Sequence, residues 1–111
     1  MLASRLPDGT ISTDPQTLRE HAADSWPLAL LRRVRGDDLP EPAAVIAPAT
    51  TGDVATVLAW ACETGAAVIP RGAGSGVCGA ATADHDAVVL DLSRMDRIGP
   101  VDLDDHGFLV R

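Results

Sequence analysis

Lysine and tyrosine are absent from this 111-residue chain, and Trp26, Trp60 and Phe108 are its only aromatic residues. Without lysine a Walker-type phosphate loop is excluded, because that loop needs a Lys to reach the terminal phosphates. All nine basic residues are Arg, the net charge is −7, and no basic run occurs. That balance argues against a nucleic-acid surface, which requires clustered positive charge. A single bound anion remains compatible with it, since backbone dipoles act locally whatever the net charge. Cys62 and Cys78 are too few and too separated for a zinc site or a disulfide framework, so no metal is expected and the thiols read as reduced. No stretch approaches the roughly 20 apolar residues of a membrane span, and Met1–Pro7 lacks a signal-peptide core. The cytoplasm is the expected location, with no membrane or nucleic-acid partner.

What is present is an ordinary globular balance, 46% hydrophobic and 23% charged, in a length that suits one modest domain. The apolar residues are mainly Ala, Val and Leu, so each buries little area. Residues 1–13, with Pro7 and Asp8-Gly9, read as a loose lead-in. Asp14-Pro15 suits a helix start, with the helix running to about Asp24, and a second short helix fits Leu28–Arg35 with Gly36 as its stop. The prolines of Gly36–Pro42 make a connector. After it, Ala44–Ala47 reads as a buried strand closed by Pro48. Thr50 and Asp53 stand at capping-box spacing, and Val54, Val57, Leu58, Ala61 and Cys62 form one helix face that ends at Gly65. Ala66–Pro70 is a second strand, expected to pair in parallel with the first through a right-handed crossover. Ala87–Asp91 is a third, apolar enough for burial on both faces. A turn at Gly99-Pro100 leads to a last strand at Phe108–Val110, which calls for a partner or a continuation. The fold class is therefore α/β, with short parallel strands and a crossover helix preceded by short helices.

Arg71-Gly-Ala-Gly-Ser-Gly-Val-Cys-Gly79 is the segment whose composition calls for chemistry. Four glycines directly after a strand let backbone N–H groups turn inward and admit a ligand with no Cβ in the way, a concavity suited to phosphate or pyrophosphate. A flexible surface loop is the alternative on glycine count alone. Gly74-x-Gly76-x-x-Gly79 also matches the Rossmann fingerprint, with Asp91 in the place of its ribose-binding acid. The eleven residues between Gly79 and Asp91 leave no room for the helix that the fingerprint must open.

Pro42-x-x-Val45-x-x-Pro48, the capped helix, Pro70–Gly79 and Val88-Val-Leu-Asp-Leu-Ser-Arg-Met-Asp-Arg-Ile98, in that order, resemble the start of the FAD-binding domain of the vanillyl-alcohol oxidase / p-cresol methylhydroxylase type. The likeness covers about residues 36–110. It implies an N-terminal lead-in over residues 1–36 and the N-terminal portion of such a domain over 37–111. It also implies FAD as cofactor, with its pyrophosphate wrapped by the backbone of Arg71, Gly72, Ala73, Gly74, Ser75 and Gly76, Gly79 turning the loop back, and Pro48 beside the adenine. Ser75 stands where relatives with a covalent flavin carry histidine, which implies non-covalent FAD. Gly76 replaces a Ser or Thr common in relatives, removing one hydroxyl contact to phosphate.

The resemblance implies an FAD-linked oxidoreductase, with 2-hydroxy acids or similar compounds as the implied substrates. Members of the family are several times longer, and the isoalloxazine-binding half and the substrate domain have no counterpart in this sequence. No catalytic residue can be assigned, and a further chain supplying the missing half is an implied partner. Three amide–phosphate bonds at about 1.5–3 kcal/mol each oppose an association cost of order 4–15 kcal/mol, so the loop alone is expected to bind FAD weakly. A truncated remnant or interaction module that no longer binds flavin is the competing expectation. His21, His85 and His106 read as solvent-facing, Cys62 as core, Cys78 as a small thiol packed on the loop, and Trp26 and Trp60 as packing residues. Asp84–Asp86 and the Asp102, Asp104, Asp105 group read as solvated turns.

Overall fold

The computed structural model describes residues 1–104 and 107–110. The elements follow in chain order as β1 (Ile11–Ser12), α1 (Pro15–Glu20), α2 (Pro27–Arg35), β2 (Ala44–Ile46), α3 (Thr51–Thr64), β3 (Ala67–Arg71), β4 (Ala87–Asp91), β5 (Val101–Asp104) and β6 (Gly107–Val110). A 3-10 turn at Leu2–Ser4 precedes them.

Four strands form one sheet in the order β1-β2-β4-β3, with β2, β4 and β3 parallel and β1 antiparallel at the edge. The expected α/β class holds, but the expected neighbours do not. β2 and β3 are parallel without touching, because β4 lies between them and pairs with both. β4 is the strand fit for that place: Ala87, Val88, Val89 and Leu90 are all buried, and a central parallel strand is covered on both faces.

Strand alternation divides the core. On one face Ile46, Val88 and Leu90 pack with Val57 of α3 and with Leu2 and Leu6, joined by Ile11, Val54, Trp60 and Val68. On the other, Val45 and Val89 pack with Ala83, Leu18 of α1 and Ile69. The opening residues are thus structural: Leu2 and Leu6 are core, and Ile11 and Ser12 pair with Ile46 and Val45. Their two-residue strand and isolated leucines carry too short a pattern to show periodicity.

The caps are where the side chains put them. Asp14 accepts from the Thr17 N–H at 2.9 Å and starts α1. At α3 the Thr50 hydroxyl accepts from the Asp53 N–H while the Asp53 carboxylate accepts from the Thr50 N–H, and Gly65 ends the helix at φ 73°. The buried stripe of α3 is narrower than its sequence pattern. Val57 and Ala61 are buried and Trp60 is half-buried, but Leu58 and Cys62 lie on the flank and are exposed, which corrects the placing of Cys62 in the core. β5 and β6 make a separate antiparallel hairpin, so the last strand has its partner in Val101–Asp104. His106, Asp105 and the side chains of Asp102 and Asp104 lie outside the described residues.

Val89→Ala, which opens a void at a fully buried site, should cost about 2 kcal/mol in urea unfolding. Leu58→Ala should stay within about 0.5 kcal/mol. Equal costs would contradict this account of the core.

Candidate functional site

In open sheets with parallel strands, ligands settle outside the carboxyl ends of the strands. Here that edge is formed by the chain leaving β2 at Pro48, β4 at Asp91 and β3 at Arg71, from which the glycine loop springs. Gly74 (φ 70°) and Gly79 (φ 81°) take left-handed backbone conformations, and neither site has space for a side chain. A Cβ on Gly74 would fall on the Arg71 guanidinium, and one on Gly79 would fall 3.0 Å from the Trp26 ring. Gly72, Ala73, Ser75 and Gly76 are exposed along the loop.

The loop is held from one side by the segment between α1 and α2. The Ser25 N–H donates to Gly76 O at 2.9 Å and its hydroxyl to Gly74 O at 3.2 Å. The Gly79 N–H donates to Asp24 Oδ2 at 3.1 Å, Arg71 Nη1 to Ala23 O at 2.9 Å, and the Ala83 N–H to Ala22 O at 2.8 Å. These bonds explain why α1 stops at Glu20 and not near Asp24: the backbone of residues 22–25 is committed to the loop. The two Ser25 bonds also turn the carbonyls of Gly74 and Gly76 toward protein partners. Among the described residues, none accepts from the N–H groups of Gly72, Ala73, Gly74, Ser75, Gly76, Val77 or Cys78. A run of amide donors without protein acceptors, on a loop held by its Gly74 and Gly76 carbonyls, is the complement of an anion.

This arrangement fits a pyrophosphate on backbone amides. The Arg71 guanidinium, stacked against Gly74 and bonded to Ala23 O, sits under the loop as a support. Pro48 lies two strands away in sheet order and its ring is fully buried. Cys78 is exposed rather than packed on the loop. Trp26 is a packing residue, seated under Gly79. A cavity of about 260 Å³ between α1, α2 and the connector is lined by Arg19 and Arg33 but also by Asp37, Asp38 and Glu41, a mixed charge poorly suited to a polyphosphate.

His85 is exposed, as are Asp84 and Asp86. His21 is not solvent-facing: its Nε2 lies 3.0 Å from Asp91 Oδ2 and its Nδ1 2.8 Å from Thr17 O, with both side chains about 15% exposed. Asp91, which ends β4 opposite Arg71, is therefore a latch between the sheet and α1. Burial pushes its carboxyl up, but the Ser93 N–H, the His21 ring and the Ser93 hydroxyl together hold it below the usual aspartate range. Asp24, Ser25 and His21 escaped sequence reasoning because each meets its partner 49 to 70 residues away. The local signal was weak: Asp24-Ser25 before Trp26-Pro27 reads as a helix cap.

Comparison with known proteins bears on the same loop. The family described as FAD binding domain matches residues 42–110. The mitochondrial D-2-hydroxyglutarate dehydrogenase of Bos taurus is 32% identical over 94 residues, which are 85% of this chain and 16% of that protein. A solved alkyldihydroxyacetonephosphate synthase superposes with a TM-score of 0.82 at 22% identity, over 91% of this chain and 19% of that one. A p-cresol methylhydroxylase structure gives 0.68 at 20% identity, over 93% and 19%. The chain thus spans less than a fifth of these relatives' lengths.

A carboxyl whose pKa is lowered by folding binds fewer protons in the native than in the unfolded chain, so its stabilisation is full above about pH 4 and is lost as pH falls through the lowered value. Asp14, held down mainly by the Thr17 N–H, and Asp53, held down mainly by the Thr50 side chain, act in the same direction. Asp91→Asn should therefore lower stability at pH 7 and flatten, without abolishing, the acid decline in urea midpoints. An unchanged slope below pH 4 would refute the latch.

Proposed function

Because the chain belongs to the FAD binding domain family, we propose that its glycine loop receives the FAD pyrophosphate on the free amides of Gly72–Gly76, in an oxidoreductase acting on a 2-hydroxy acid. The observation that carries this is the loop's asymmetry: carbonyls of Gly74 and Gly76 engaged, and amides of Gly72–Cys78 without acceptors among the described residues. Gly74 and Gly79 permit the turns, and Arg71 supports the loop from beneath. Ser75 offers no imidazole for attachment to the flavin, which supports non-covalent binding. Pro48 shapes the turn from β2 into α3 on the same sheet edge.

When bound, FAD would supply the hydride acceptor for oxidation at the carbon bearing the substrate's hydroxyl. The 2-hydroxy acid class rests on the identity to D-2-hydroxyglutarate dehydrogenase. Further polypeptide, in the same chain or a partner, would supply the isoalloxazine and substrate sites. The exposed Leu30, Leu31 and Val34 on α2 offer it an apolar surface. The family match disfavours a remnant that has lost flavin.

Titration of the chain with FAD, followed by Trp fluorescence, should show saturable binding that ADP displaces and riboflavin does not. Gly74→Asp, which drives a side chain into the Arg71 guanidinium, should abolish it. Displacement by riboflavin alone, or unaltered binding by the variant, would overturn the pyrophosphate assignment. NAD or ATP bound more tightly than FAD would overturn the choice of cofactor.

A further inference from the structure

Residues 22–26 precede the family-matched segment, yet they form one wall of the glycine loop. Asp24 is 4% exposed and its carboxylate is shared between two backbone donors: Oδ1 accepts from the Trp26 N–H at 3.0 Å and Oδ2 from the Gly79 N–H at 3.1 Å. We propose that Asp24, with Ser25 beside it, is the positioning residue of the flavin-phosphate loop, setting which of its amides are available to the ligand; this rests on the function proposed above.

The geometry gives each contact a distinct consequence. The Oδ2 bond takes the Gly79 amide out of the ligand's reach and fixes the point where the loop turns back over Trp26. The Oδ1 bond holds Asp24 in a tight turn, so the carboxylate cannot swing away without breaking it. Ser25 then engages the carbonyls of Gly74 and Gly76, and the intervening amides have no acceptor among the described residues. Gly76 completes the fit, since a Cβ there would lie 3.3 Å from Asp24 Oδ2. A residue larger than glycine there would crowd the carboxylate that holds the loop.

Two acceptor oxygens are needed because two N–H groups converge on one side chain. An asparagine of the same shape has only one, and its amide group would face the second donor. A buried donor left without an acceptor costs more than a lost hydrogen bond alone.

The test uses the full chain. Amide hydrogen exchange in the absence of ligand reports the brace, and FAD titration reports its consequence. Asp24→Asn should accelerate exchange at Gly79 or Trp26 and weaken FAD binding roughly tenfold or more, while Val89 keeps its protection. Ser25→Ala, which retains the backbone bond to Gly76 O, should weaken FAD by a smaller factor and keeps the test open if the first variant fails to fold. Unchanged exchange at both Gly79 and Trp26 would overturn the brace. Faster exchange with unaltered FAD affinity would overturn its positioning role. If the wild-type chain binds no FAD, the proposed function fails, and exchange still decides whether Asp24 holds the loop.

Discussion

The pairing of residues 22–26 with the glycine loop is the constraint on which the candidate site depends. A glycine-rich segment is costly to order, because glycine loses more backbone freedom on folding than any other residue. Here the cost is met by bonds from Ser25, Asp24 and Ala22, and by the Trp26 ring against Gly79. Ser25 takes up the Gly74 and Gly76 carbonyls, and Asp24 and Ala22 take only the Gly79 and Ala83 amides of the loop, so those of Gly72–Cys78 are spared. Rigidity and anion preference therefore have one cause.

That pairing needs the rest of the fold to present both partners. β4, buried on both faces, aligns β2 and β3 so that Pro48, Asp91 and Arg71 end on one edge. The His21–Asp91 contact ties the end of α1 to that edge, and the segment leading to Trp26 starts from the residue so anchored. The opening residues, through Leu2, Leu6 and β1, close the sheet on the other side. The N-terminal portion in this sense shares its packing with the sheet and the glycine loop.

How much of this could be read from the sequence follows from the range of each interaction. The helix caps at Asp14, Thr50 and Gly65, the strands β2, β3 and β4, and the glycine loop are specified by residues within a few positions of one another, and they are legible. The FAD family could be recognised because its blocks occur in order. The insertion of β4 between β2 and β3 was not legible, since strand order is a choice among pairings of similar local pattern. Neither was the place of Cys62, because helical spacing shows an apolar face without showing how wide a neighbour will cover it. Asp24, Ser25 and His21 carry no local sign of their distant partners: the sequence places Asp24 at the end of a helix and His21 in solvent.

The most direct test of the central claim is a map of backbone amide shifts in the chain as FAD is added. The account predicts the largest changes at Gly72–Cys78, with Gly79 changing less because its N–H stays on Asp24. Changes centred on the cavity near Arg19 and Arg33, or spread evenly over the sheet, would contradict it.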